Sequence, residues 1–359
     1  MRSNKLTKLA ITAALTFGAN VASAEDPLKV GFVYVGPTGD AGWSYGHDQA
    51  RKYIVEKFGD KIETNYVESV AEGADSERVI RQLAAKGHDL IFTTSFGYMN
   101  PTLKVAKKFK KVKFEHATGY KRGKNTGTYF ARAYQGRYLT GLIAGKMTKT
   151  NVIGYVASFP IPEVIRGINA FTKGAQEVNP DVTVKVVWAS TWYDPAKERE
   201  AAETLMLQGA DILTQHTDSA AVIQAAESKG NYAIGYHTDM SAYGKKAHLT
   251  AAIHNWGPLY EAKVQSVLDG TWKSEDLWPG IAEGVTDLAP LHADIPADVR
   301  ALVAEKKQAI KDGKMRVFDG PVLDQAGKEV IGAGETLDDG ALKGFNWYVN
   351  GVEGKLPKS

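Results

Sequence analysis

The sequence contains no cysteine. That excludes disulfides, thiolate nucleophiles and cysteine-ligated metals, and with them a lipid anchor at an N-terminal cysteine. A surplus of charge of one sign is missing too. Of 44 Lys and Arg, three (Arg2, Lys5 and Lys8) precede residue 25 in a stretch without acidic groups, and the other 41 balance 41 Asp and Glu. The formal charge of +3 therefore vanishes from the rest of the chain. A chain so balanced does not suit nucleic acid or an anionic membrane as its main partner. Long apolar runs are absent after the first two dozen residues, so no transmembrane helix is expected. Zincin signatures of the form H-E-x-x-H are absent as well, and with no cysteine nucleophile the chain is not expected to be an enzyme.

What the N-terminus does contain is a positive start, an apolar stretch from Leu9 to Gly18 and Ala22-Ser23-Ala24. That order is the pattern of a cleavable secretory signal peptide, here residues 1–24. The expected product is a soluble exported protein without a lipid anchor. Held by its core alone, a chain of this length is expected to form two lobes.

From KVGFVYV onward, short β-branched runs alternate with amphipathic segments, and near residue 150 the alternation starts again with NVIGYVAS. Asp194 and Pro195 form a cap and first-turn pair for one of the helices. Strands alternating with helices imply parallel sheets covered on both faces. The expected fold is α/β, two doubly wound parallel-sheet lobes joined by a hinge, with lobe 1 over 25–149 and lobe 2 over 150–255. The remainder, 286–359, is expected near the hinge, and FDGPVLDQAGKEVIGAGETL within it reads as a hairpin.

In open α/β sheets ligands meet the loops at the carboxyl ends of strands. Those loops are Gly39 to Ser44, Ser95 to Tyr98, Thr191 to Tyr193, His216 to Ser219 and His237 to Met240. They are rich in aromatics and aspartate and hold no arginine. A cleft with carboxylates and no cationic clamp does not suit phosphate or a carboxylate ligand. It suits a neutral, flat heterocycle with N–H or O–H groups to donate.

Gly36, Gly39 and Gly42 are spaced GxxGxxG, which is neither a dinucleotide fingerprint nor a P-loop, and Asp40 would repel a phosphate. The loop is expected to project Trp43 into the cleft, against the alternative of an ordinary core tryptophan. Trp192 holds the matching place in the second lobe, so the two indoles would sandwich a planar ligand. His-Thr-Asp occurs at 216–218 and again at 237–239. Asp218 and Asp239 are expected to accept ligand N–H or O–H groups; helix capping and a metal site are the alternatives, and no metal is expected. Lys104, Lys107, Lys108 and Lys111 share a helix face that solvation explains.

The order KVGFVYVGPTGDAGWSY, GRYLTGLIAG, NVIGYVASFPIPEVIRGINAFTKGAQ, STWYDPAKE, DILTQHTD and TAAIHNWGPLY resembles the basic membrane protein family. The resemblance covers nearly all of the chain after residue 24. It implies purine- or purine-nucleoside-binding receptors of ABC importers with the type I periplasmic-binding-protein fold. On that resemblance the stacking aromatics fall on Trp43, with Ser44 as polar neighbour, and on Trp192. Asp218 matches a base-contacting position and Asp239 the aspartate used on ribose. Tyr98, Tyr134 and Asn255 complete the expected ligand contacts. Nucleoside binders have a lysine near Asn255, and its absence here favours a free base such as adenine. The fold implies a return to lobe 1 over about 256–285. The family's usual lipobox cysteine is missing, which implies a protein free in the periplasm. A monomer with a purine ligand, no cofactor and an ABC permease as partner is expected. The rivals are a sugar-binding ABC receptor and a periplasmic nucleoside hydrolase.

Overall fold

The computed structural model describes residues 26–357 apart from Asp40. The signal-peptide reading of 1–24 and the role of Asp40 lie outside the described residues. The chain opens with β1 (Leu28–Tyr34), α1 (Trp43–Phe58), β2 (Ile62–Val67), α2 (Ala74–Ala85), β3 (Leu90–Thr94), α3 (Met99–Ala106), β4 (Lys113–Ala117) and β5 (Thr126–Tyr129). The run α4 (Ala133–Met147), β6 (Val152–Ala157), α5 (Pro162–Val178), β7 (Thr183–Trp188), α6 (Pro195–Leu207), β8 (Ile212–His216), α7 (Ala221–Lys229), β9 (Tyr232–His237) and β10 (His248–His254) follows. The last elements are α8 (Gly257–Leu268), β11 (Asp276–Leu277), β12 (Thr286–Leu288), α9 (Ala297–Lys311), β13 (Val322–Leu323), β14 (Glu329–Ile331), α10 (Asp339–Lys343) and β15 (Val352–Glu353).

Among the described residues two sheets carry the fold. The first runs β11-β5-β4-β3-β1-β2 with every pairing parallel. The second runs β12-β10-β9-β8-β6-β7-β15, parallel except where β12 meets β10. Central strands such as β3 and β8 are buried along their whole length. That double burial is why they read as continuous apolar or β-branched runs instead of alternating ones. In each sheet the chain reverses its direction of winding beside the first strand of the lobe, β1 or β6, and the crevice at such a switch point is where ligands lodge.

The chain passes between the sheets after β5, after β10 and again between β11 and β12. Helix α8 packs on α1 of the first lobe, and β11 extends the first sheet. Sequence order groups α4 with the first lobe, within 25–149. Its packing does not: α4 lies along α5 of the second lobe, in the closest helix pairing among the described residues. Glycine makes that approach possible, because a Cβ on Gly141 would stand 2.0 Å from the Phe171 carbonyl oxygen and one on Gly174 2.1 Å from that of Tyr138. The C-terminal segment is sewn to the second lobe as well. There α9 packs on α4, α10 on α5, and β15 pairs with β7, while β13 and β14 form the antiparallel hairpin.

Candidate ligand-binding site

A cavity lies between the two sheets, at the carboxyl ends of their strands, with about 20 Å³ open to the centre of a water-sized sphere. From the first lobe come Val35 after β1, Trp43 at the start of α1, Ser95 and Phe96 after β3, and Thr118 after β4. The second lobe contributes Glu163 from the first turn of α5, Trp192 after β7, His216 and Asp218 at the end of β8, and His237 at the end of β9. That open volume is room for about one water molecule, so a heterocycle can enter only as the lobes part. A second chamber, about 120 Å³ on the same measure, shares Phe96, Thr118 and Glu163 with it and extends to Arg166 and Trp278.

Trp43, Trp192 and Asp218 all line this cavity. Trp43 is also a packed residue, only 6% exposed. Its indole N–H donates to the Thr94 carbonyl at 2.7 Å, and the rings of His47, His237 and Trp256 stand edge-on around it. The two readings of Trp43, cleft wall and core residue, both hold. Trp192 is half-buried, braced edge-to-face by Phe159 at 5.0 Å. Its indole N–H reaches Glu72 of the first lobe at 3.3 Å, and the same carboxylate oxygen accepts from the backbone N–H of Gly97. Glu72 therefore ties the Phe96 loop to the tryptophan of the opposite lobe. Asp218 is buried with its Oδ1 3.3 Å from His237 Nε2. Its loop is pinned by Glu198, which accepts from both the N–H and the hydroxyl of Ser219.

Ser44 stands behind the site, its hydroxyl accepting from the Gly36 N–H at 3.0 Å. Residues 42–46 also spell G-x-S-x-G, against the expectation that the chain lacks that motif. Ser44 sits inside α1, ten residues past the end of β1, and not at the strand-to-helix turn where such a motif exposes a nucleophile. Four other expected contacts do not line the cavity. Asp239 is 42% exposed and accepts from the Ser241 N–H at 2.9 Å, which closes a turn. The twin tripeptides diverge because His237 has φ +71, a left-handed backbone that breaks the alternation carrying Asp218 into the cleft. Tyr98 turns into the core of the first lobe and donates to the Val70 carbonyl, leaving Phe96 as the aromatic of that loop that faces the cavity. Tyr134 packs against Trp278 and Phe318 in the second lobe and accepts from Arg132 at 3.2 Å. Asn255 is exposed, its N–H given to the Val285 carbonyl.

Glu163 and Thr118 escaped the sequence reading, while Phe96 and His237 lie in loops it named without being singled out; all four line the cavity. Glu163 was within reach, since it begins the helix after β6, a strand end as eligible as the others. Arginine, absent from the loops, arrives from helix interiors. Arg137 of α4 is buried flat over Tyr236, 3.4 Å from the ring centre, and donates to the Gln215 carbonyl; Arg166 of α5 donates to the Leu342 carbonyl at 2.6 Å. These guanidinium groups serve the backbone while lending positive potential to the cleft floor. Burial pushes Glu163 up to about 7, with Arg166 and Arg137 pulling it back. Burial also holds His216 and His237 well below the usual imidazole range, so both are neutral at pH 7. Among the described residues no group of three or more His, Cys, Asp or Glu is placed to hold a metal ion.

Residues 28–316 match the family described as ABC transporter substrate-binding protein, PnrA-like. The chain belongs to this family. The PnrA-like chain is 54% identical over 337 residues to a purine-binding protein of Brucella abortus, covering 94% of this chain and 96% of that one. It is 38% identical over 335 residues to a Haloferax volcanii protein provisionally named an ABC transporter glucose-binding protein, covering 93% and 83%. Among solved structures, a solute-binding protein of an ABC transporter system from Conexibacter woesei superposes with a TM-score of 0.66 at 25% identity, over 80% of this chain and 98% of that one. A second, from Aeropyrum pernix, reaches 0.71 at 21% identity over 82% and 94%, and shows the fold alone. Proteins of this family are substrate-binding proteins of ABC transporters. No helix of the described residues is long and apolar enough to cross a membrane.

Proposed function

We propose that this PnrA-like protein is a periplasmic receptor that closes its two lobes over a neutral purine and delivers it to an ABC importer. A free base such as adenine is favoured. One observation carries the reading: indoles from two different lobes, Trp43 and Trp192, border one small cavity together with the carboxylate of Asp218. Stacking on an aromatic face is worth about 1–3 kcal/mol per base. Two such faces supply a large share of the roughly 8 kcal/mol that micromolar binding requires. The purine-binding name of the Brucella abortus relative supports the same reading. The adjoining chamber beside Arg166 and Trp278 offers room for a substituent on the base, so a nucleoside is the second choice.

Calorimetry with adenine, guanine, adenosine, AMP and glucose tests the class directly. Adenine or guanine is expected to bind at micromolar affinity or tighter, with AMP and glucose far weaker. Glucose bound more strongly than every purine would transfer the protein to the sugar receptors, the class named for its Haloferax volcanii relative. Inosine incubated with the protein is expected to release no free base, which separates the receptor from a hydrolase.

Asp218→Asn keeps the shape of the side chain but replaces one acceptor oxygen with a donor. It should weaken purine binding by about 1.5–3 kcal/mol, the worth of a hydrogen bond to a charged group. Chelation with EDTA should leave the affinity of the parent protein untouched. Full affinity in the Asp218→Asn variant, with the same unfolding temperature as the parent, would remove Asp218 from the contact set.

A further inference from the structure

Glu163 and His216 form a pair unlike the other polar groups of the cavity. Glu163 stands in the first turn of α5 behind Pro162, with its side chain 13% exposed, and His216 ends β8 with its side chain 3% exposed. Oε1 of the carboxyl lies 3.3 Å from Nε2 of the imidazole. Nδ1 of His216 is buried and has no hydrogen-bond partner among the described residues. Tyr236 packs against the imidazole at 4.6 Å between ring centres, fixing its plane. Both residues line the cavity, so the pair presents a carboxyl and an imidazole to whatever fills it. A carboxylate only accepts hydrogen bonds, whereas a carboxylic acid can donate one. One proton therefore decides which ligand edge this wall can satisfy.

We propose that Glu163, held by His216, is a specificity-determining residue that reads the hydrogen-bonding edge of the bound base and exchanges a proton with solvent as it does so. The proposal rests on the purine reading of the same cavity. The groups that face Glu163 come from five elements: His216 from β8, Arg137 from α4, Arg166 one turn on along α5, Tyr155 from β6 and Tyr236 from β9. Thr118, its neighbour from the first lobe in the cavity wall, carries no charge. Burial outweighs the two arginines and sets the carboxyl near 7, while His216 stays neutral. Near pH 7 the unliganded protein then populates both the carboxylate and the acid of Glu163.

A ligand edge that donates N–H selects the carboxylate and expels that proton. An edge that offers a bare ring nitrogen selects the acid and takes one up. The signs follow from linkage. Affinity for a donating edge rises as the pH climbs toward about 7 and levels off above it. Affinity for an accepting edge is level below about 7 and falls above it.

The test is calorimetric titration of the full chain with adenine and with hypoxanthine at pH 7, in two buffers of different ionisation enthalpy. The parent protein is expected to exchange a measurable fraction of a proton per base bound. Glu163→Gln is expected to bring the exchange close to zero and to change the ratio of adenine to hypoxanthine affinity at least about tenfold, as losing a matched polar contact does. Should that variant fail to fold, the proton count of the parent decides alone. Purine binding without proton exchange in the parent, or with the same exchange and the same ratio in Glu163→Gln, overturns the role of Glu163 and leaves the ligand class standing. A parent protein that binds no purine overturns the ligand class, and this inference with it.

Discussion

Trp43→Ala is expected to cost the unliganded protein about 3–5 kcal/mol of stability, the usual loss for truncating a buried aromatic. Trp192→Ala is expected to leave thermal unfolding nearly unchanged and to weaken ligand binding by about 1–3 kcal/mol. Trp43 is only 6% exposed, with the His47 ring 4.3 Å and the Trp256 ring 5.8 Å from its own. Truncation would open a hole between these rings and leave the Thr94 carbonyl without the indole N–H that it now accepts at 2.7 Å. Trp192 has fewer obligations. Half of its surroundings is the cleft, and its contacts are Phe159 beside it and Glu72 across the gap. The two tryptophans that look equivalent as ligand walls are therefore separable by scanning calorimetry of the unliganded variants. A Trp43→Ala protein that melts with the parent would show that the surrounding rings repack at little cost.

Both lobes were legible in the sequence because parallel strands buried on two faces leave short apolar runs, and these alternate with amphipathic segments twice along the chain. The side chains that follow those strands were legible for the same reason, which is how Trp43, Trp192 and Asp218 were found together. The failures have local causes. Tyr98 and Phe96 share one loop, and only its tight turn decides which ring faces the cleft and which the core. Asp239 repeats the motif of Asp218, but the left-handed backbone at His237 turns it toward Ser241. No pattern of residue types reveals that twist. Arg137 and Arg166 were invisible because they reach the cleft floor from helix interiors, so the site is more positive beneath than its loops suggest. The place of α4 depended on contacts such as Gly141 against Phe171, thirty residues apart, which sequence order alone does not show. The resemblance to a known family supplied what the residues could not, the return of α8 to the first lobe among it.

Gly42→Ala is expected to lower apparent ligand affinity on the order of a hundredfold while leaving the unliganded protein as stable as before. A Cβ on Gly42 would lie 2.1 Å from the carbonyl oxygen of Asp218 and 2.8 Å from its Cα. Those are backbone atoms of a buried loop, and they cannot rotate aside as a side chain would. The two residues belong to opposite lobes, and the neighbouring hydroxyl of Thr238 donates to the Ala41 carbonyl across the same seam. The clash therefore exists only when the lobes are shut. Ligand bound between the lobes can leave or enter only when they part, so binding draws on the equilibrium between open and shut forms. Raising the shut form by roughly 3 kcal/mol reduces the competent fraction, and with it the apparent affinity, by about a hundredfold. Gly42 does not line the cavity, so the loss would not come from a missing contact with ligand. Small-angle scattering distinguishes the cause. The parent should become more compact on adding saturating purine, and the variant should need far more ligand to do so. A variant that binds and contracts like the parent would mean that the lobes meet elsewhere than at Gly42 and Asp218.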